Sequence, residues 1–311
     1  MSAEDRKIVL VTRRTRLEDL VRRHNTVEQA RFQAEHSGQD FGDFIEEDRI
    51  YRAAVARVAE VLDQHGRLQR LDRDFLANFL FPPNGLIVVL GQDGLVANTL
   101  KYLDGQPVLA INPDPARWEG VLLPFGVEDV AQIIAEVLKD KRATRSITMA
   151  RAELNDGQQL LAVNDFFIGA RTHVSARYEI SLGNHHERHS SSGVIVSTGL
   201  GSTGWLKSVL TGAGRIAGEI ITPDHRSILE SGLPWESESL VFSVREPYPS
   251  RTTQVDLTFG RISARSELRL RSLMPENGVI FSDGMEADGL EFRSGIEVRI
   301  GVAQEHGALL Y

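Results

Sequence analysis

Five consecutive apolar residues, Leu86-Ile87-Val88-Val89-Leu90, stand between backbone breakers, with Pro82, Pro83 and Gly85 ahead and Gly91 behind. A strand with one wet face alternates apolar and polar residues. An unbroken run needs cover on both faces, which a parallel sheet flanked by helices provides. The neighbouring segments agree. Lys7-Ile8-Val9-Leu10-Val11-Thr12 is rich in β-branched residues, and residues 107–112 form a second apolar run. Residues 46–64 place Ile50, Ala54, Val58, Val61 and Leu62 at helical spacing, and residues 127–140 do the same with Val130, Ile133, Ile134, Val137 and Leu138. Strands alternating with helices predict an α/β N-terminal domain built on a parallel sheet covered on both faces.

The pattern changes near Lys141. Asn155-Asp156-Gly157 is a hairpin signal between residues 147–154 and 159–163. Further short strands are predicted at 178–182, 194–197, 239–244, 254–259, 267–273, 278–281 and 297–300, with one short helix after Gly201 capped by Ser202-Thr203. The reading is therefore an α/β domain over residues 1–142 and a mainly antiparallel β domain over residues 143–301. Residues 302–311 are free to return to the first domain.

A chain of 311 residues with 41% apolar and 25% charged residues can bury two cores. The absence of cysteine removes disulfides, thiolate nucleophiles and cysteine-ligated zinc. A net charge of -8 argues against a nucleic-acid partner, whose phosphates require a basic face. No apolar run approaches the ~20 residues of a membrane span. Residues 1–7 carry acidic groups and no apolar h-region, so a cytoplasmic location is expected.

Three turns carry the chemistry. Gly91-Gln92-Asp93-Gly94 follows the buried strand and precedes a predicted helix over residues 95–103. Glycines let backbone N–H groups approach an anion, and a helix N-terminus behind them adds a favourable dipole. Asp93 sets a carboxylate beside such phosphates, although a tight turn with an N-capping Asp fits the same residues. Residues 197–205, Ser-Thr-Gly-Leu-Gly-Ser-Thr-Gly-Trp, supply glycines, hydroxyls and an indole after another apolar strand. Asn164-Asp165 at a strand end suits a ribose diol or a plain turn. Residues 184–189, Asn-His-His-Glu-Arg-His, invite a metal reading but lack a His-Glu-x-x-His spacing, and a solvated hairpin loop is expected there. Asp283-Gly284 reads as a hairpin turn, and Asp288-Gly289 has no stronger claim. No metal ligand is assigned.

In this order the turns resemble the NAD kinase family, which has a Gly-Gly-Asp-Gly-Thr turn in an α/β domain, an Asn-Glu pair, a Thr-Gly-Ser-rich turn in a β domain and a late Asp-Gly. The matching residues are 91–95, Asn164-Asp165, 198–205 and Asp283-Gly284, so the resemblance covers nearly the whole chain. The mitochondrial-type branch is the nearer likeness, through residues 33–51 (with Asp43, Glu46-Glu47 and Tyr51), 112–117, Glu119-Gly120, 178–181, Ser191-Ser192-Gly193 and Trp205. The resemblance implies ATP-dependent phosphorylation of the 2′-hydroxyl of the adenosine ribose of NAD, with Mg²⁺. It implies Asp93 as the catalytic carboxylate and Gly91, Gln92, Gly94 and Leu95 around the phosphates. Asn164, Asp165, Ser192, Thr198, Gly201, Ser202, Thr203 and Trp205 would hold the substrate, in a homodimer or homotetramer built through the β domain. Gln92 replaces a family glycine, Leu95 a threonine, Leu200 a small hydroxyl residue and Asp165 a glutamate. These departures leave open a kinase of another hydroxyl-bearing small molecule, such as a sugar or nucleoside, or a catalytically impaired nucleotide-binding regulator.

Overall fold

The computed structural model describes residues 7–139, 141–218 and 222–311. Residues 1–6, read above for a leader, and Asp140, the last residue of the expected 127–140 helix, lie outside the described residues. The chain forms two compact units, Met1–Arg145 with Ala308–Tyr311, and Ser146–Gly307.

In the first unit β1 (Lys7–Thr12) leads through α1 (Arg16–His24), α2 (Val27–His36) and α3 (Phe41–Asp63) to β2 (Arg67–Asp72). Then come β3 (Leu86–Leu90), α4 (Asp93–Leu100), β4 (Pro107–Asn112), the two-residue β5 (Phe125–Gly126) and α5 (Val130–Val137). The strands lie in the order β2-β1-β3-β4 and pair in parallel. Ala308 and Leu309 pair in parallel with Pro107 and Val108 of β4. All five residues of β3 are buried, as its unbroken apolar run requires. On one sheet face Ile8, Leu10, Leu86, Val88 and Leu90 pack with Tyr51, Ala54, Val58 and Leu62 of α3 and with Val130, Ile133, Ile134 and Val137 of α5. The alternate residues Val9, Val11, Ile87 and Val89 are equally buried, so both faces are covered.

The α1 and α2 helices were not foreseen. Thr15 and Glu18 cap α1 reciprocally, Thr15 Oγ1 accepting from Glu18 N at 3.2 Å and Glu18 Oε2 from Thr15 N at 3.0 Å. The 127–140 helix proves shorter than expected, with a 3₁₀ turn at Val127–Asp129 ahead of α5.

The second unit contains β6 (Thr144–Leu154, whose first two residues belong to the first unit), β7 (Gln159–Ala162), β8 (Asp165–Ala170), β9 (Ala176–Leu182), β10 (His185–Ser191) and β11 (Val194–Ser197). After α6 (Trp205–Ala217) and α7 (Pro223–Ser231) follow β12 (Ser239–Val244), β13 (Phe259–Ser263), β14 (Leu268–Ser272), β15 (Gly278–Ser282), β16 (Met285–Glu291) and β17 (Glu297–Leu310, whose last three residues belong to the first unit). One antiparallel sheet runs β13-β12-β11-β8-β15-β16, and β10-β9-β14-β17 form a second antiparallel array. Phe166, Ile168, Val196 and Phe242 of the first share a core with Tyr178, Ile180, Leu270 and Val298 of the second.

Three local expectations fail here for physical reasons. Residues 254–258 are not a strand, although Leu257 is buried as the alternation demanded. Their backbone donors go elsewhere, Gln254 N to Arg188 O at 3.0 Å and Leu257 N to the Glu187 carboxylate at 3.1 Å. The polar run at 184–189 is not a solvated loop, because residues 185–191 form β10, joined to β9 by the two-residue turn Gly183-Asn184. Its inward side chains are polar but find partners, Ser191 bonding Tyr178 and the Nε2 of His189 bonding Glu187. Finally, α6 is 13 residues long and starts from Gly204 with no side-chain cap, so Ser202-Thr203 do not cap it.

Candidate functional site

In the order β2-β1-β3-β4 the chain runs from β1 out to β2 and then crosses to the other side of β1 to form β3. The carboxyl ends of β1 and β3 therefore meet at a topological switch point, the place where open α/β sheets bind ligands. Gly91 leaves β3 at this point. Its N–H bonds Ile111 O at 3.2 Å, and a Cβ on it would lie 2.7 Å from Leu95 Cδ2, so a larger residue would have to displace the Leu95 side chain. Gln92 is the N-cap of α4, in extended conformation, and makes no side-chain cap hydrogen bond. Leu95 N bonds Gln92 O at 2.8 Å, but the earlier N–H groups of the helix have no side-chain cap. A Cβ on Gly94 would meet nothing within 4 Å, so the space in front of that residue is open.

Asp93 is not the helix cap. It is the first helical residue, half-buried, and its Oδ1 accepts Leu122 N at 2.7 Å. The loop that brings Leu122 there is built by Asn112, whose Oδ1 accepts Asp114 N at 3.0 Å and whose Nδ2 donates to Trp118 O at 2.9 Å. Gly120 closes it at φ +68°, where a Cβ would sit 2.7 Å from Asn112 Nδ2. Leu95 faces the core at 2% exposure, so its side chain packs under Gly91 and away from the open side of the turn.

A charged network braces the same edge. Arg117 grips Asp43 with two nitrogens at 2.6 and 3.1 Å, and Arg16 bridges Asp43 to the buried Glu47, which also takes Arg13 at 3.1 Å. Hydrogen bonds from Arg117 and then Arg16 hold the Asp43 carboxyl well below the usual carboxylate range. Tyr51 Oη donates to Leu90 O at 2.9 Å and accepts Arg13 N at 2.9 Å, tying the ends of β1 and β3 together beside the turn. Burial pushes its phenol up to about 12. Asp43, Glu47, Tyr51, Asn112 and Gly120 had been noticed in the sequence only as a resemblance. Their positions now have a physical basis.

In the second unit the candidate residues gather around the start of β8. Asp283 and Gly284 form the β15–β16 turn, both with positive φ (53° and 70°). The Asp283 carboxylate accepts Val163 N at 3.0 Å, Asn164 N at 2.6 Å and Asp165 N at 3.3 Å. From the other side Thr198 Oγ1 donates to Val163 O at 2.6 Å. The Asn164-Asp165 backbone is thus clamped between two distant segments. Sequence reasoning set Asp283 aside as a hairpin residue, and only the late Asp-Gly of the resemblance hinted at more.

The polar candidates divide into engaged and unengaged groups. Thr198 and Ser202 are fully buried, Ser202 Oγ donating to Gly199 O at 2.6 Å and accepting Leu233 N at 2.8 Å. The glycines of this turn answer to backbone crowding. A Cβ on Gly199 would lie 1.9 Å from Pro234 O, and one on Gly201 would lie 2.0 Å from Asn164 O. Thr203 and Ser192 are exposed. Trp205, half-buried, stacks on Phe167 with centroids 5.7 Å apart, and the Arg245 guanidinium lies 5.5 Å from the indole centroid. In contrast, the side chains of Asn164 and Asp165 have no hydrogen-bond partner among the described residues. Asp165 is only 9% exposed, and burial, with the nearby Asp283 charge second, pushes its carboxyl up to about 7.

The whole chain superimposes on two solved structures. An NAD kinase from Archaeoglobus fulgidus in complex with ATP matches 98% of this chain and 93% of its own, with a TM-score of 0.58 and 15% identity. The yeast NADH kinase complexed with NADH matches 99% of this chain and 84% of its own, with a TM-score of 0.59 and 15% identity. The fold is that of the NAD kinases. No protein-family model matches the chain, and no curated protein sequence matches it. The NAD kinase fold thus comprises here a mostly parallel α/β sheet in one unit and antiparallel β sheets in the other. Among the described residues no helix is long and apolar enough to cross a membrane, and no group of three or more His, Asp or Glu could hold a metal ion.

Proposed function

We propose that this chain is an ATP-dependent NAD kinase-like phosphotransferase that phosphorylates the 2′-hydroxyl of the adenosine ribose of NAD to give NADP. The observation that carries the reading is the Gly91–Gly94 turn. It lies at the switch point of the parallel sheet, begins a helix whose first N–H groups have no side-chain cap, and leaves open space before Gly94. The fold neighbours with bound ATP and NADH support the same ligand classes.

In this reading the backbone N–H groups of the turn bind phosphate oxygens. Asp93 aligns the acceptor hydroxyl and takes its proton as that oxygen forms the new bond to the γ-phosphorus, and ADP leaves. Its Leu122 bond fixes the carboxylate rotamer, so positioning supplies much of the rate. Asn164 and Asp165 offer an amide and a carboxyl, without side-chain partners among the described residues, to a ribose diol. Mg²⁺ would arrive on the nucleotide phosphates and neutralise their charge, with the Asp93 carboxylate at the turn to hold its water. The mitochondrial-type branch, a cytoplasmic location and a homodimer or homotetramer through the β domain belong to the same proposal.

The test is a dehydrogenase-coupled assay for NADP with ATP, Mg²⁺ and NAD. Asp93→Asn keeps the side-chain size and should lower turnover by ~10²-fold or more. A folded wild type without NADP formation would sink the reading, and a near-normal Asp93→Asn rate would remove Asp93 from the chemistry. A second reading, a kinase of another hydroxyl-bearing metabolite, is favoured by Gln92, whose amide has no partner among the described residues and stands at the turn itself. A thermal-shift panel of sugars and nucleosides, followed by product mass spectrometry, separates the two.

A further inference from the structure

The edge strand β10 carries a second polar cleft, remote in sequence from the turns described above and contained within the second unit. Its wall is the segment 248–254, held against β10 by Tyr248 N to Ser190 O at 2.8 Å and Gln254 N to Arg188 O at 3.0 Å. Within the segment Ser250 and Thr253 hydroxyls bond at 2.7 Å, and Thr252 N bonds Ser250 Oγ at 3.2 Å. The cleft is about 520 Å³, and Arg177, Arg188, His189, Ser250, Thr252 and Thr253 are among its lining residues. Among the described residues no carboxylate lines it.

The charge state of these walls is unusual for a chain of net charge -8. The Arg177 guanidinium has no partner among the described residues. Arg188 reaches Glu179 at 3.2 Å, and that carboxylate is shared with Arg271 at 4.0 Å. Register places Arg177 opposite Ser190 and Arg188 opposite Glu179, so by strand alternation both arginines stand on one face of the β9–β10 pair and the buried His189 on the other. An exposed guanidinium with no carboxylate partner among the described residues, beside the Ser190 and Ser250–Thr253 hydroxyls, leaves charged donors open to a ligand. A planar guanidinium fork with short hydroxyls is the donor set that suits tetrahedral oxyanions.

We infer that this cleft is a second anion site, which takes a phosphoryl group (inorganic phosphate or a phosphate monoester) on Arg177, Arg188 and the Ser250–Thr253 hydroxyls. The inference does not depend on the nucleotide reading of the Gly91 turn. Local donors outweigh the global charge over such short distances because salt screens the latter beyond a Debye length.

The test uses the full chain. Crystals soaked in tungstate, a heavy phosphate mimic, should show an anomalous peak within hydrogen-bond distance of Arg177 and the Thr252 or Thr253 hydroxyl. In solution, calorimetry with inorganic phosphate should show a binding event weakened roughly 10- to 100-fold in Arg177→Gln, the effect of one lost charge-assisted interaction. Arg215→Gln, on α6, should leave that event unchanged. Arg177 makes no side-chain hydrogen bond or ion pair among the described residues, so the variant should fold, and Arg177→Lys should recover part of the affinity. No peak at the cleft overturns the inference. So do equal phosphate affinities in wild type and Arg177→Gln, or a peak at soaking concentration with no phosphate binding in solution, which would mean an adventitious ion only.

Discussion

Asp165→Asn is the substitution that probes most directly what the second unit does with its candidate carboxyl. Asp165 is 9% exposed, has no hydrogen-bond partner among the described residues and titrates at about 7, chiefly because burial penalises its charge. An ordinary Asp titrates near ~3.9, and the gap corresponds to about 4 kcal/mol at 1.36 kcal/mol per pH unit. The folded state holds the proton more tightly than the unfolded state. Its contribution is therefore fully present below pH ~4 and is lost as pH rises through about 7. Wild-type stability should fall by about 4 kcal/mol from this group between pH 4 and pH 8.

An asparagine cannot ionise, so that component vanishes from the variant. The new amide brings unpartnered donors that cost ~1–3 kcal/mol at every pH. The variant should consequently be less stable than wild type at pH 4 and more stable by ~1–3 kcal/mol at pH 8, with the curves crossing between. Urea unfolding at constant ionic strength, followed by tryptophan fluorescence, reads this directly, because Trp205 stacks on Phe167 two residues along the same strand. Parallel stability–pH profiles for the two proteins would refute the reasoning, since they would mean that Asp165 titrates as an exposed carboxyl.

Two glycine substitutions separate structural from ligand-facing positions. Gly201→Ala places a methyl group 2.0 Å from Asn164 O, a backbone atom that cannot step aside, and should cost ~3 kcal/mol or more in thermal unfolding. Gly94→Ala meets nothing within 4 Å and sits in α4, so stability should hold or rise by up to ~1 kcal/mol. ATP affinity by calorimetry should fall in Gly94→Ala at least several-fold, whereas unchanged affinity would mean that no phosphate approaches there.

The parallel sheet was legible because its signal is local. A run such as Leu86–Leu90 has one low-energy solution, burial on both faces, and β3 adopts it. The hairpin at Asn155-Asp156-Gly157 was legible for the same reason, Gly157 taking the φ of +89° that its turn demands. What pattern could not reveal depends on partners far along the chain. β10 was missed for a nearer reason, because its inward residues His189 and Ser191 look solvated until the hairpin sets Ser191 against Tyr178 and His189 bonds Glu187 on its own strand. Asp283 reads identically as a free hairpin carboxylate or as a clamp, and the difference lies in three backbone donors 118–120 residues away. The glycines of residues 197–205 suggested a polar ligand, and the structure adds a reason invisible in sequence, since Pro234 O and Asn164 O stand where Cβ atoms of Gly199 and Gly201 would lie.

These placements also change what the departures from the Gly-Gly-Asp-Gly-Thr pattern mean. Leu95 and Gln92 stand three residues apart in the turn, yet only one of them faces its open side. Leu95 is 2% exposed and packs against Gly91, so Leu95→Thr would remove buried methyl groups and set a hydroxyl in the core, costing ~2 kcal/mol or more. A variant that restores both family residues would mix that penalty with any gain in activity. Gln92→Gly alone is the clean experiment. Gln92 has extended backbone angles (φ −131°, ψ 167°), open to any residue, and its side chain makes no cap bond, so the loss in stability should stay near ~1 kcal/mol of backbone entropy. If the Gln92 amide crowds the phosphates, NADP formation should rise severalfold in Gln92→Gly with stability nearly unchanged. If instead activity drops while affinity for another hydroxyl-bearing metabolite is lost with it, the amide is a recognition element, and the acceptor of this chain is not NAD.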